Sequence, residues 1–229
     1  MTAFKGLPKD FFRFFRELEA NNNRPWFLEH KERYQSSVVQ PLLGFIEAMA
    51  APLADISPHY RAIARANGGS LFRIYRDTRF ARDKTPYKTH AACHFRHERG
   101  RDAHAPGFYA HFENGRLFFG GGIWTPPSSA LTAIRAFIAD NPAAWRKIAN
   151  APAVLERGGL QGDQLKRPPR GFDPQHVHIE DLKRRSFFVM TSARQSLAYS
   201  PALVDEVSAA FAAAAPLSHF ICDALELPF

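Results

Sequence analysis

An α+β fold, with a mostly antiparallel sheet of about five strands covered by N- and C-terminal helices, is predicted by three features of the sequence. The clearest is Asn114-Gly115 between two strand-like runs, Gly107 to Glu113 and Arg116 to Ile123, which reads as a two-residue hairpin with a type I′ turn. Further short apolar or aromatic runs lie at Leu71 to Tyr75, Thr89 to His97 and Phe187 to Met190. Helical periodicity, in contrast, gathers towards the two ends.

In chain order, Phe11, Phe12, Phe14, Phe15 and Leu18 recur among charged residues as on an amphipathic helix over 8–20, with Asp10 as N-cap and Asn21-Asn22-Asn23 as terminator. A second helix starts near Pro25 and carries Trp26, Phe27, Tyr34, Val38 and Val39; Pro41 is expected to interrupt it before a third apolar segment to Leu53. Trp26 and the phenylalanines, of which the chain has 21, read as core. Gly68-Gly69 marks a turn into the 71–75 strand, an ordered loop follows, and a second strand begins at about Thr89. Beyond the hairpin, Ser128 or Ser129 is placed to cap a helix reaching Asp140, and Asn141-Pro142 opens a shorter one through Ile148. Residues 151–175, rich in glycine, proline and cations, read as an ordered surface excursion. A helical turn over 179–185, the strand from Phe187 and a helix over 201–225, broken at Pro216, complete the chain. All 229 residues read as a single domain.

The formal net charge is +8, and its distribution is uneven: +7 falls between Arg61 and His104, +3 between 165 and 185, and the remainder is slightly acidic. Clustered positive charge favours anionic partners, small molecules or nucleic acid. Cys93 and Cys222 are far apart and read as reduced thiols. Charges among the N-terminal phenylalanines leave no apolar leader, so a cytoplasmic protein with no membrane association is expected.

The charge peaks in Arg73-x-x-Arg76-Asp77-x-Arg79-Phe80-x-x-Asp83-Lys84-x-x-Tyr87-Lys88. This pattern resembles the signature of an uncharacterised, mainly bacterial family, domain of unknown function 2461. The similarity extends from Asn-Asn-x-Arg-Pro-Trp-Phe near Asn22 to Lys-Arg-x-Pro-x-Gly-Phe-Asp after Lys166. Membership implies no activity, cofactor or catalytic residue.

Read from their chemistry, Arg73, Arg76, Arg79, Lys84 and Lys88 are candidate anion ligands, since guanidinium forks match phosphate oxygens and ammonium groups add point charges. Asp77 and Asp83 are expected to be ionised and to support the cations. The competing reading is a purely structural network in which these aspartates and backbone carbonyls occupy the arginines. Asp77 and Tyr87 are weak catalytic candidates, Tyr87 and Tyr75 because neighbouring cations would lower a phenol pKa. Gly120-Gly121-Gly122 at a strand end is weakly suggestive of a phosphate cradle, with Gly121 and Gly122 as supporting residues, although a bulge or close backbone packing is the commoner reason for such a run. Alternation on the strand from Thr89 puts His90 and His94 on one side and Cys93 and His97 on the other, so no metal is expected from that set. The favoured function is a pocket for a small phosphorylated or other anionic molecule, with enzymatic activity open. The alternatives are a nucleic-acid module in which Phe80 and Tyr87 stack on bases and the 166–172 segment extends the groove, and an interaction protein in which the motif is structural.

Overall fold

A computed structural model describes residues 4–100 and 104–229, so Arg101 and Asp102 of the basic segment lie outside it. Five strands, β1 (Tyr60–Arg61), β2 (His90–His97), β3 (Gly107–Glu113), β4 (Arg116–Ile123) and β5 (Phe187–Ala193), form one antiparallel sheet in sequential order. The helices are α1 (Asp10–Ala20), α2 (Arg24–Glu29), α3 (Lys31–Tyr34), α4 (Gln40–Ala48), α5 (Ala50–Ile56), α6 (Ser128–Asp140), α7 (Pro142–Ala149), α8 (Pro152–Leu155), α9 (Ile179–Leu182) and α10 (Ala202–Ala224). The predicted α+β architecture is therefore the observed one.

Strand alternation divides the sheet. One face carries Cys93, Phe95, Phe108, Ala110, Phe112, Leu117, Phe119, Phe187 and Val189, all buried. Helices from both ends cover it: Phe211 of α10 stacks on Phe108 at 5.0 Å between ring centroids, and Phe11 and Phe45 meet Phe112 edge-on. One contiguous core thus runs from Leu7 to Ile221. The helical run over Lys31–Ile56 and the helix α10 are long and apolar enough to span a membrane, yet their apolar side chains, including Val38, Leu42, Phe45, Leu217 and Ile221, are spent on this core.

Several local expectations give way to other physics. Asp10 lies in the first turn of α1 and does not cap it; its carboxylate accepts two hydrogen bonds from Arg33, both 2.8 Å, which tie α1 to α3. Arg33 also holds the Asp10 carboxyl well below the usual range. Pro41 does not interrupt its helix: the turn before it, Gln35–Val39, widens to π geometry, which suits a residue without an N–H and with a ring against the preceding turn. Pro216 similarly remains inside an unbroken α10, where buried Ala213, Ala214, Leu217, Phe220 and Ile221 hold the helix together. No serine side chain caps α6, whose N-cap is Pro127. The hairpin pairs Glu113 with Arg116 as predicted, but only Gly115 has positive φ (+74°), so the turn is not type I′; the Gly115 amide instead donates to Gln195 Oε1 at 2.7 Å.

The glycine run belongs to the packing of β4. A Cβ on Gly120 would lie 1.9 Å from the Val189 carbonyl oxygen, and one on Gly121 would lie 2.5 Å from the Phe108 ring and 3.2 Å from Ala214 Cβ. Gly122 has φ +138° and its own backbone contacts with Phe187 and Phe188. These residues let α10 and β5 close onto the strand. Gly121→Ala is expected to cost about 1–3 kcal/mol through overpacking, measurable by urea denaturation with an unchanged m-value.

Candidate functional site

The opposite face of the sheet is chemically different. Cross-strand register places His90 opposite Glu113, Ala92 opposite His111 and His94 opposite Tyr109, with Arg116 and Phe118 next along on β4. Histidine, tyrosine and glutamate thus share a surface that helices leave partly open.

The arginine-rich motif borders this surface. Residues 71–75 do not form a continuous strand; they make isolated bridges, Leu71 to Cys93 and Tyr75 to Tyr87, which prolong the edge of the sheet beyond the short β1. A full ladder is prevented because the chain leaves β2 after Phe72, whose amide donates to the Ala92 carbonyl, and pairs with its own returning limb through Arg76 N to Pro86 O and Lys88 N to Ile74 O. The limb is anchored from the N-terminal region: Asn22 Nδ2 donates to Tyr87 O at 2.9 Å, and Tyr87 N donates to Asn22 Oδ1 at 3.1 Å. Phe27 of α2 stacks on Tyr87 with centroids 4.2 Å apart, and Asn23 caps α2 by accepting from Trp26 N. The Asn-Asn-x-Arg-Pro-Trp-Phe and arginine motifs are therefore one structural unit.

The candidate cations separate into two groups. Arg76 is engaged by Asp83 at 2.5 Å and by Thr85. Arg79 forms a two-pronged pair with Asp77, at 3.0 and 2.7 Å, and Lys84 Nζ donates to the Thr78 carbonyl. Both carboxyls are lowered, Asp77 chiefly by the Arg79 hydrogen bond and Asp83, to about 2, first by the Thr85 backbone N–H and then by Arg76. These three cations serve the loop's own conformation.

Arg73 and Lys88 differ. Neither is in an ion pair among the described residues, and both line a cavity of about 140 Å³ on the open face, with Phe72, His90, Ala92 and Tyr109. Lys88 Nζ donates to the Arg73 carbonyl at 2.8 Å and lies over the Phe72 ring. Burial, and then repulsion from Arg73, lower the Lys88 pKa. Arg73 also borders a second cavity, of about 170 Å³, formed with Phe27, Tyr34, Leu71 and Tyr75.

Other predicted site residues lie elsewhere. Tyr87 is buried and lines neither cavity, and its pKa is raised by desolvation, contrary to the lowering expected beside cations. Asp77 sits on the outer loop, Gly121 and Gly122 in β4, and Lys166, Arg167 and Arg170 on an exposed segment that lines neither cavity. Phe80 is 95% exposed at the loop tip.

His90, Tyr109, His111 and Glu113 gain their significance from neighbouring strands, which one strand's spacing could not show. The His90 and His111 rings are 4.4 Å apart, and Tyr109 Oη is 3.0 Å from His111 Nδ1. Burial pushes the Tyr109 phenol up to about 12. Cys93 and His97 do point to the opposite face, as alternation requires, and His94 has its own partner, its Nδ1 accepting from Arg96 Nε at 3.2 Å.

A sheet with one helix-packed face, and an open face where Arg73 and Lys88 border a small cavity with His90, defines an α+β protein. The chain belongs to the family described as conserved hypothetical protein (DUF2461), whose model matches residues 10–220. No curated protein and no solved structure matches it.

Two outcomes follow from this geometry. Asn22→Ala strips both hydrogen bonds from the Tyr87 backbone and should cost about 1–3 kcal/mol, accompanied by faster amide exchange at Tyr87. Burial, followed by Arg96, also pushes the His94 pKa from 6.5 down to about 4. Below pH 6.5 the unfolded chain then binds this proton more readily than the folded one, so stability present at neutral pH is lost as pH falls towards 4. The contribution of His94 reaches at most about 3 kcal/mol. Urea titrations at pH 7 and 4.5 should show the loss, and His94→Gln should diminish it.

Proposed function

We propose that the protein binds a small phosphorylated or otherwise anionic molecule in the cavity between Arg73 and Lys88, with His90 and Tyr109 contacting the bound molecule. One observation carries this reading: two adjacent cations, Arg73 and Lys88, without a carboxylate partner among the described residues, line one cavity. Desolvation of Lys88 and its repulsion from Arg73 disfavour two like charges there, and an anion offsets both. A guanidinium and an ammonium lining the same cavity would provide a fork and a point charge for an oxyanion. The aromatic wall formed by Phe72 and Tyr109 favours a ligand with an apolar or ring-containing part. Arg76, Arg79 and Lys84 hold the outer loop in shape, and Asp77 and Asp83 complete that frame.

The nucleic-acid reading is supported by a separate feature, the exposed Phe80 beside Arg79 and Arg82 on the outer loop. Such a surface suits stacking on single-stranded bases, with salt-sensitive backbone contacts.

A thermal-shift panel distinguishes the two. Phosphorylated metabolites, dicarboxylates and short DNA and RNA oligonucleotides would be tested at low and moderate salt against the wild type, Arg73→Ala, Lys88→Ala and Arg79→Ala. A ligand at 100 times its Kd stabilises by about 2.7 kcal/mol. The pocket reading expects a salt-tolerant shift with one small anion, lost in Arg73→Ala and Lys88→Ala and retained in Arg79→Ala. Shifts confined to oligonucleotides, fading with salt and lost in Arg79→Ala, would replace it with the nucleic-acid reading.

A further inference from the structure

We infer that His90, His111 and Glu113 form a binding site for a divalent transition-metal ion of the zinc class on the open face of the sheet. The three side chains each offer one ligand atom, and these atoms lie within 4.8 Å of one another. Two neutral imidazoles and a carboxylate are the donor set of three-ligand metal sites that keep further positions open. They come from two neighbouring strands: His90 stands opposite Glu113, and His111 is one same-face position along β3.

A second observation concerns the innermost donor. His111 is only 7% exposed, and its Nε2 is a buried polar atom without a hydrogen-bond partner among the described residues. Buried ring nitrogens ordinarily find a partner, because burial without one is costly. Glu113 Oε2 lies 3.5 Å away, close to the separation of about 3.3 Å that tetrahedral coordination with bonds of about 2.05 Å would require. A metal ion there would supply the missing partner.

The surroundings are those of a supported ligand. Tyr109 Oη lies 3.0 Å from His111 Nδ1, and with the Nε2 lone pair directed at a metal, Nδ1 carries the proton and donates it to that oxygen. Stacking of His111 on Phe118, at 4.3 Å and 16°, restricts the ring further. His90, in contrast, is half-buried at the start of β2, so a modest side-chain rotation can bring its nitrogen inward. Because His90 also lines the cavity holding Arg73 and Lys88, the open metal positions would border the proposed anion pocket.

Metal binding does not depend on the anion reading and is tested without any anionic ligand. Purified protein stripped with a chelator would be titrated with zinc(II) and cobalt(II) against a competing chromophoric chelator, in parallel with Glu113→Gln, His90→Ala and Tyr109→Phe. Circular dichroism would show that the variants are folded; Glu113→Gln, conservative and at a strand end, keeps the test usable if a histidine variant fails. The proposal expects one ion per chain. Loss of a direct ligand in His90→Ala or Glu113→Gln should weaken binding by more than the roughly 10–100-fold expected of the outer partner in Tyr109→Phe. Sub-stoichiometric binding, or equal affinity in wild type, His90→Ala and Glu113→Gln, would overturn it.

Discussion

Side-chain alternation on β2 and β3 is the constraint from which the rest follows. A half-turn of the backbone per residue sends Cys93, Phe95, Phe108, Ala110 and Phe112 into the core, and the same geometry necessarily presents His90, His94, Tyr109, His111 and Glu113 to the other side. A one-residue slip of either strand would bury the polar set under α10 and expose the aromatic one, so the hydrophobic face specifies the position of the polar face. The dry side supplies most of the free energy of folding, and the histidine cluster inherits its geometry from that register.

Charge in the motif is governed by local compensation. Three of the outer cations have an acceptor within the same loop: Asp83 and Thr85 for Arg76, Asp77 for Arg79, and the Thr78 carbonyl for Lys84. On this exposed loop such pairs contribute little individually, but together with the Asx contacts to Arg79 N and Thr85 N they select one loop shape among many. Arg73 and Lys88 lie where the loop joins the sheet, beyond the reach of those carboxylates. Anion-binding and structural readings of the motif therefore need not compete; its ends and its middle have different electrostatic circumstances.

Much of this was legible in the sequence. The Asn114-Gly115 pair, the alternating runs around it and the phenylalanine period of α1 depend on neighbours close in the chain, and those local signals located the hairpin and the helices. Expectations at Pro41 and Pro216 failed because tertiary burial of flanking side chains outweighs a single missing N–H. The turn type failed because the Gly115 amide finds a partner, Gln195, 80 residues away. The cations were recognised as a group, yet their division into committed and uncommitted members depends on distances within a folded loop. Least legible were Asn22, whose partner Tyr87 is 65 residues distant, and the meeting of His90 with His111 and Glu113, which exists only in cross-strand register.

Asn22 also indicates how the two halves of the candidate site are kept in relation. Its amide matches both the N–H and the C=O of Tyr87, as a neighbouring strand would, so the turn leading into α2 is tied to the returning limb of the motif. Lys88 follows Tyr87 directly, and His90 begins β2 two residues later. The clamp at Tyr87 therefore sets where the lysine enters the cavity, while the ladder at His90 sets where the imidazole enters it, with only Thr89 between them. A short tether between two fixed points leaves few conformations for the ammonium group. This arrangement explains how Lys88 can be held in a partly desolvated position beside Arg73 despite their mutual repulsion: the packing of Phe27 on Tyr87 fixes the backbone from which the lysine extends.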